Sequence, residues 1–187
     1  MSQECFGSDT ALLVVDVQND FCPGGALPVA DGDSIIPVIN AWTPRFSTVL
    51  ASRDWHPAGS VHFASWPPHC IAGTYGAQFR TGLDTGRFLL VLDKGTGNAD
   101  DGYSAFDATN EDLASWLHGR GIEQLYICGL ATDYCVLRTV LDALRLGFAV
   151  TVIGDAIAAV EVHPGDGQAA VETMEAAGAR FVSSDQS

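Results

Sequence analysis

The sequence predicts an α/β fold of three layers, α/β/α, in which helices cover both faces of a six-stranded, mainly parallel sheet. Three observations carry the prediction. Ala11-Leu-Leu-Val-Val-Asp-Val is an almost unbroken apolar run, the pattern of a central parallel strand buried on both faces. Residues 124–147 pass from a second apolar run, Leu125 to Cys128, through Gly129 into a helical pattern. There Val136, Leu137, Val140, Leu141 and Leu144 recur at helical spacing until Gly147 stops them. Along the rest of the chain, short apolar runs alternate with helical patterns, as right-handed strand–helix–strand units require.

The remaining elements follow in order. A short helix is expected over 33–42, capped near Asp31 or Asp33, with Pro37 arguing for a late start or a kink. Thr48 to Ser52 is the second strand and runs into Arg53-Asp-Trp-His-Pro. Residues 58–83 mix glycine, proline, aromatics and histidine without a period, a long loop of the kind that usually carries function. Arg87 to Leu92 is the third strand, ending at Asp93-Lys94, and Gly95 to Phe106 is a polar, glycine-bearing loop. Asn110 is a candidate cap for a helix over 111–119. The strand over 124–128 and its helix follow, with Thr132 or Asp133 as the cap. Ala149 to Ile153 is strand five, Pro164 to Ala177 a helix stopped by Gly178, and Arg180-Phe-Val strand six. Neither repeat nor linker interrupts the chain, so residues 1–187 read as a single domain.

Composition narrows the function. A formal net charge of −14 disfavours nucleic acid and anionic membrane surfaces. The opening residues lack the basic and apolar regions of a signal peptide, and no apolar run is long enough to span a bilayer, so a cytoplasmic protein is expected. Five cysteines without a CxxC pair suit neither a disulfide framework nor a cysteine zinc cluster. Lys94 is the only lysine, beside eight arginines, and it stands at a strand end rather than on a charged helix face. It is either an incidental surface cation or a residue retained for its chemistry.

Three reactive residues fall at the carboxyl ends of different strands: Asp16, Lys94 and Cys135. Strand ends on one edge of a parallel sheet converge, and ligands bind there. Cys135 is placed in the first turn of a helix, where backbone N–H groups and the helix dipole favour a thiolate. A free cysteine is otherwise most often a small buried hydrophobe. A carboxylate beside a thiol can take its proton, and a lysine beside both keeps the carboxylate ionised. Asp54, His56, His62 and His69 lie within one short stretch. One carboxylate with imidazoles suits zinc, iron(II) or manganese with positions left for water or substrate; the alternative is a loop whose histidines merely hydrogen-bond. His118 and His163 are expected at helix ends in structural roles.

These residues stand inside longer signatures: Val15-Asp-Val-Gln-Asn-Asp-Phe, Ser52-Arg-Asp-Trp-His-Pro, Trp66-Pro-Pro-His-Cys, Asp93-Lys-Gly and Gly129-Leu-Ala-Thr-Asp-Tyr-Cys-Val. From Ala11 to about Ile157 the chain resembles the nicotinamidase/pyrazinamidase branch of the isochorismatase-like cysteine hydrolases. The resemblance implies the isochorismatase-like hydrolase fold and a catalytic triad of Asp16, Lys94 and Cys135. It implies one divalent metal ion, zinc first and iron or manganese next, on Asp54, His56 and His69. The fourth ligand differs between members of the family; His62 takes that place here, with Ser60 a nearby alternative. It further implies ring contacts from Phe21, Trp66 and Tyr103. An oxyanion would be held by the backbone N–H groups of Ala131 and Cys135, after a cis Leu130–Ala131 peptide. The implied activity is hydrolysis of nicotinamide to nicotinate and ammonia through a cysteine thioester, with pyrazinamide as a second substrate, in NAD salvage. A relative acting on another small amide or a ureido compound is the alternative, and a homo-oligomer stays open.

Overall fold

The computed structural model describes residues 5–99 and 101–184; residues 1–4, 100 and 185–187 of the expected domain, and of its N-terminal and Gly95–Phe106 readings, lie outside the described residues. Six strands form one sheet: β1 (Thr10–Val15), β2 (Thr48–Asp54), β3 (Leu90–Lys94), β4 (Gln124–Leu130), β5 (Ala149–Ala158) and β6 (Arg180–Val182). Their order is β3-β2-β1-β4-β5-β6, and every neighbouring pair is parallel, so the expected mainly parallel sheet is parallel throughout. The helices are α1 (Ile36–Trp42), α2 (Leu113–His118), α3 (Leu137–Arg145) and α4 (Asp166–Ala176).

The period of two along β1 divides the core. Leu12 and Val14 pack on one face with Ile36, Ile39 and Trp42 of α1. Ala11, Leu13 and Val15 pack on the other with Leu113 and Leu117 of α2, Val140 and Ala143 of α3, and Met174 of α4. All six residues of β1 are buried, as an unbroken apolar run in the middle of a covered parallel sheet requires.

Several boundaries differ from the sequence reading, each for a local reason. Pro37 occupies the first turn of α1, so the helix begins at Ile36 rather than at 33. The edge strand β3 begins three residues later than expected and continues through Asp93 to Lys94, putting the lysine inside the strand. Asp112 rather than Asn110 caps α2, accepting from Ser115 N at 3.0 Å. Asn110 instead pairs with the backbone of β3, accepting from Asp93 N and donating to Val91 O. β5 runs five residues past Ile153, because its register against β4 shifts: Ile127 faces Val152, but Gly129 faces Ile157. Gly154 and Asp155 mark the bulge, not a strand end.

At Gly129 the backbone has φ +119°, and a Cβ there would lie 2.0 Å from Val15 O. Glycine alone lets β4 approach β1 beside Asp16, the residue that follows β1.

Candidate active site

β1, β2 and β3 deliver three charged side chains to one point. Asp16 follows β1 with φ +49°, is fully buried, and accepts from Ser52 Oγ at 2.8 Å. Asp54 and Lys94 are the last residues of β2 and β3 and face each other in register. Lys94, also fully buried, spans from the edge strand to the middle of the sheet. Its Nζ lies 2.8 Å from Asp16 Oδ2, donates to Gly102 O at 2.9 Å, and reaches Cys135 Sγ at 3.3 Å. It also donates to Asp54 Oδ1. Asp16, Asp54 and Cys135 thus surround a built-in cation. A lysine this deeply buried is retained only where it is paired.

Cys135 is held differently from the expectation. Thr132–Val136 form one wide turn with i→i+5 bonding, Val136 N donating to Ala131 O at 3.0 Å, and the regular helix starts only at Leu137. The Leu130–Ala131 peptide before it is cis, as expected. Neither Thr132 nor Asp133 caps the turn with its side chain.

Electrostatics follow from burial and from Lys94. Burial pushes Asp16 up to about 6, with Lys94 opposing and Asp54 adding to the rise. Burial also acts to raise Asp54, but Lys94, with His56 and His69 beside it, outweighs burial and holds the carboxyl well below its ordinary range. Burial works to lower Lys94, and the charges of Asp16, Asp54 and Cys135 outweigh it, so the ammonium persists. Cys135 is raised well above an ordinary thiol, by burial first and by the two carboxylates, against the pull of Lys94. The expected helix-start thiolate is therefore corrected: at rest Cys135 is a thiol. A carboxylate oxygen of Asp16 lies within 4.8 Å of Sγ, so an acceptor for its proton is at hand.

The histidines of the long loop converge beside this network. Side-chain nitrogens of His56, His62 and His69 lie within 4.8 Å of one another, all three residues buried. Gly95 O lies 2.9 Å from His56 Nδ1, and Pro67 O lies 2.8 Å from His69 Nδ1. A carbonyl only accepts, so each Nδ1 carries its hydrogen and each Nε2 offers a lone pair. Those two Nε2 atoms stand 3.4 and 3.7 Å from Asp54 Oδ2, and His56 Nε2 is buried without a hydrogen-bond partner. Acceptors converging with no proton between them are what a divalent cation needs, so the residues fit a metal ion. His62 stacks on His56 at 4.8 Å. Ser60 is occupied otherwise: its Oγ accepts from His62 N at 3.2 Å and caps the short turn that carries His62.

Both groups open into one cleft. Asp54, His62, His69, Ala131 and Cys135 line it together with the aromatic rings of Phe21, Trp66 and Tyr103. Trp66 Nε1 donates to Tyr103 Oη at 3.1 Å, and Phe21 lies 5.3 Å from the His69 ring. Leu27, Tyr134 and Val160 also line the cleft and were missed. Tyr134 adjoins the nucleophile and packs edge-on to Trp66, a signal that its position alone could have given. Leu27 and Val160 lie in aperiodic segments with no such signal. His118 stacks on Phe148 away from the cleft, and the His163 backbone donates to Asp166, as structural residues do. Among the described residues, no helix is long and apolar enough to cross a membrane.

Comparison with known proteins agrees with this geometry. Residues 10–186 match the Isochorismatase domain. Nicotinamidase of Escherichia coli is 42% identical over 196 residues, covering 90% of this chain and 92% of the relative. PnC1 from L. infantum, solved in complex with nicotinate, superimposes with a TM-score of 0.90 at 36% identity, over 97% of this chain and 96% of that one. Pyrazinamidase of Pyrococcus horikoshii, solved in complex with zinc, gives 0.85 at 42% identity, over 94% and 99%. Sequence and backbone are thus matched almost end to end, and the chain belongs to the isochorismatase family.

Proposed function

We propose that the protein is a nicotinamidase, hydrolysing nicotinamide to nicotinate and ammonia, and that it accepts pyrazinamide in the same way. The observation that carries this is the placement of a buried Asp16–Lys94–Cys135 network and a cluster of imidazoles side by side at one aromatic-lined cleft. A flat ring that carries both a carboxamide and a ring nitrogen suits a cleft lined by a thiol, imidazoles and aromatic rings. The relatives' names and the nicotinate-bound neighbour support it.

Asp16 takes the proton of Cys135, and Sγ attacks the carboxamide carbon while Lys94 keeps the carboxylate ionised. The backbone N–H groups of Ala131 and Cys135 receive the developing oxyanion. Asp16 returns the proton to the departing nitrogen, leaving a thioester and ammonia. The same carboxylate then deprotonates a water that attacks the thioester, and the proton goes back to Sγ as nicotinate leaves. Asp54, His56, His62 and His69 would hold a divalent metal, zinc first, which supplies Lewis acidity toward the ring nitrogen. Phe21, Trp66 and Tyr103 bind the ring by its faces and edges. Nicotinate so formed would serve the salvage of pyridine nucleotides.

The test is ammonia release from nicotinamide by the purified protein, run beside Cys135→Ala and a chelator-treated sample. Release by the wild type, abolished in the variant and reduced by chelation, supports the reading. A folded, metal-loaded protein that releases none, yet cleaves another small amide or a ureido compound, would replace it.

A further inference from the structure

A carboxylate that the chemistry above does not use ties the turn carrying Cys135 to a residue that lines the cleft. Asp133 lies two residues before Cys135. Its Oδ1 accepts from Val160 N at 2.9 Å and its Oδ2 from Glu161 N at 3.0 Å. Val160 lines the cleft, in the segment just after β5 ends at Ala158, where no sheet ladder holds the backbone. Glu161 repeats the device one step outward. Its own backbone is left-handed, φ +56°, and its carboxylate accepts from Gly165 N at 2.7 Å and Gly167 N at 2.9 Å, at the start of α4. The fit there is close: a Cβ on Gly167 would stand 2.6 Å from Glu161 Oε1 and 2.7 Å from Ala159 Cβ.

Two carboxylates, each gripping two backbone N–H groups, therefore run in series from α4 to the catalytic turn. Hydrogen bonds to a charged acceptor are the stronger kind, and paired ones fix direction as well as distance. A strained residue such as Glu161 keeps its conformation only where its surroundings over-determine it. We propose that Asp133 and Glu161 are positioning residues that set where Val160 stands in the cleft that Cys135 also lines, and so govern the protein's grip on the ring of its substrate. The thiol itself is placed by Lys94 and Asp16, so loosening this latch weakens substrate binding more than it slows the chemical step.

The kinetic arm of the test rests on the nicotinamidase reading, and the exchange arm does not. Glu161→Gln and Gly167→Ala act from outside the cleft, and Asp133→Asn acts from beside the nucleophile. In Glu161→Gln and Gly167→Ala, KM for nicotinamide should rise about tenfold with kcat within about twofold, and the double variant should be no worse than the single ones. A fall in kcat at unchanged KM, or additive losses in the double variant, would overturn the proposal. Independently of any substrate, the amide of Val160 should be protected from hydrogen exchange in the wild type. Its protection should fall about tenfold in Asp133→Asn and in Glu161→Gln at unchanged global unfolding. Unchanged Val160 protection in both variants would overturn the latch even in an active enzyme. A wild type inactive on nicotinamide would remove the proposed substrate and leave the exchange result to decide.

Discussion

The ammonium of Lys94 is hydrogen-bonded to a carboxylate oxygen of Asp54, so one buried ion pair joins the Asp16–Lys94–Cys135 network to the imidazole cluster. Asp54 turns its other oxygen toward His56 and His69. Lys94 for its part meets four acceptors (Asp16, Asp54, Gly102 O and Cys135 Sγ) with three N–H bonds, and the sulfur contact is its longest. Lys94 is therefore first an electrostatic keystone for two carboxylates and only then a neighbour of the thiol.

Lys94→Met should consequently damage both fold and function. Asp16 and Asp54 would face each other in the core without a cation, at a cost of about 3–5 kcal/mol. Activity, measured as kcat/KM for ammonia release, should fall by about a hundredfold or more. Lys94→Arg should not restore it, since a planar guanidinium cannot replace a compact ammonium in a fully buried site. Thermal unfolding and steady-state kinetics check both, and an active variant of wild-type stability would refute this account.

The pH profile should carry the signature of Asp16. As the base it must be ionised, so kcat/KM should fall on an acid limb near pH 6. Ser52 donates to Asp16 and lowers its pKa, so Ser52→Ala should move that limb upward. The two carboxylates affect stability with opposite sign. Asp16, raised from 3.8 to about 6, contributes stability that is present below pH 3.8 and lost as pH rises through 6. Asp54, held well below 3.8, contributes stability that is present above 3.8 and lost as pH falls.

His62→Ala should lower bound metal, assayed by elemental analysis after dialysis, and weaken metal affinity by about tenfold or more. Ser60→Ala should keep the metal and cost about 1 kcal/mol, the loss of a capping hydroxyl. The reverse pattern would make Ser60 the ligand.

Gln18 was not singled out from the sequence, yet its side-chain amide is spent entirely on backbone. Nε2 donates to Asp54 O at 2.8 Å and to Ala77 O at 2.9 Å, while Oε1 accepts from Asp54 N at 2.8 Å. Gln18→Leu leaves those buried groups unpaired, a loss of about 3 kcal/mol or more. Asp54 would also lose its support, so metal affinity should fall by about 10–100-fold, measurable by competition with a chromogenic chelator.

What was legible in the sequence depended on pattern and on contact order. Apolar runs leading to Asp16, to Lys94 and to the turn that carries Cys135 disclosed three strand ends, and parallel topology brought them together. The crowded Asp54–His69 stretch disclosed the imidazole cluster. Register and tertiary contact were not legible. The bulge at Gly154-Asp155 looks like a turn until Ile157 is seen opposite Gly129. The thiol of Cys135 is governed by burial first, and then by Lys94, Asp16 and Asp54, residues 41, 119 and 81 positions away in the chain, rather than by its own helix. Asp133 resembled a cap, and only the path of residues 159–161 shows what its oxygens hold.

Lys94 belongs to β3, the outermost strand on its side of the sheet. The reactive centre is therefore completed by the element with a single neighbour, across two strands from the sulfur it serves. A chain in which β1, β2 and β4 have paired but β3 has not would carry an unarmed cysteine, without its cation and without a fixed base. Completion of the buried charge network thus coincides with the closing of the sheet's rim.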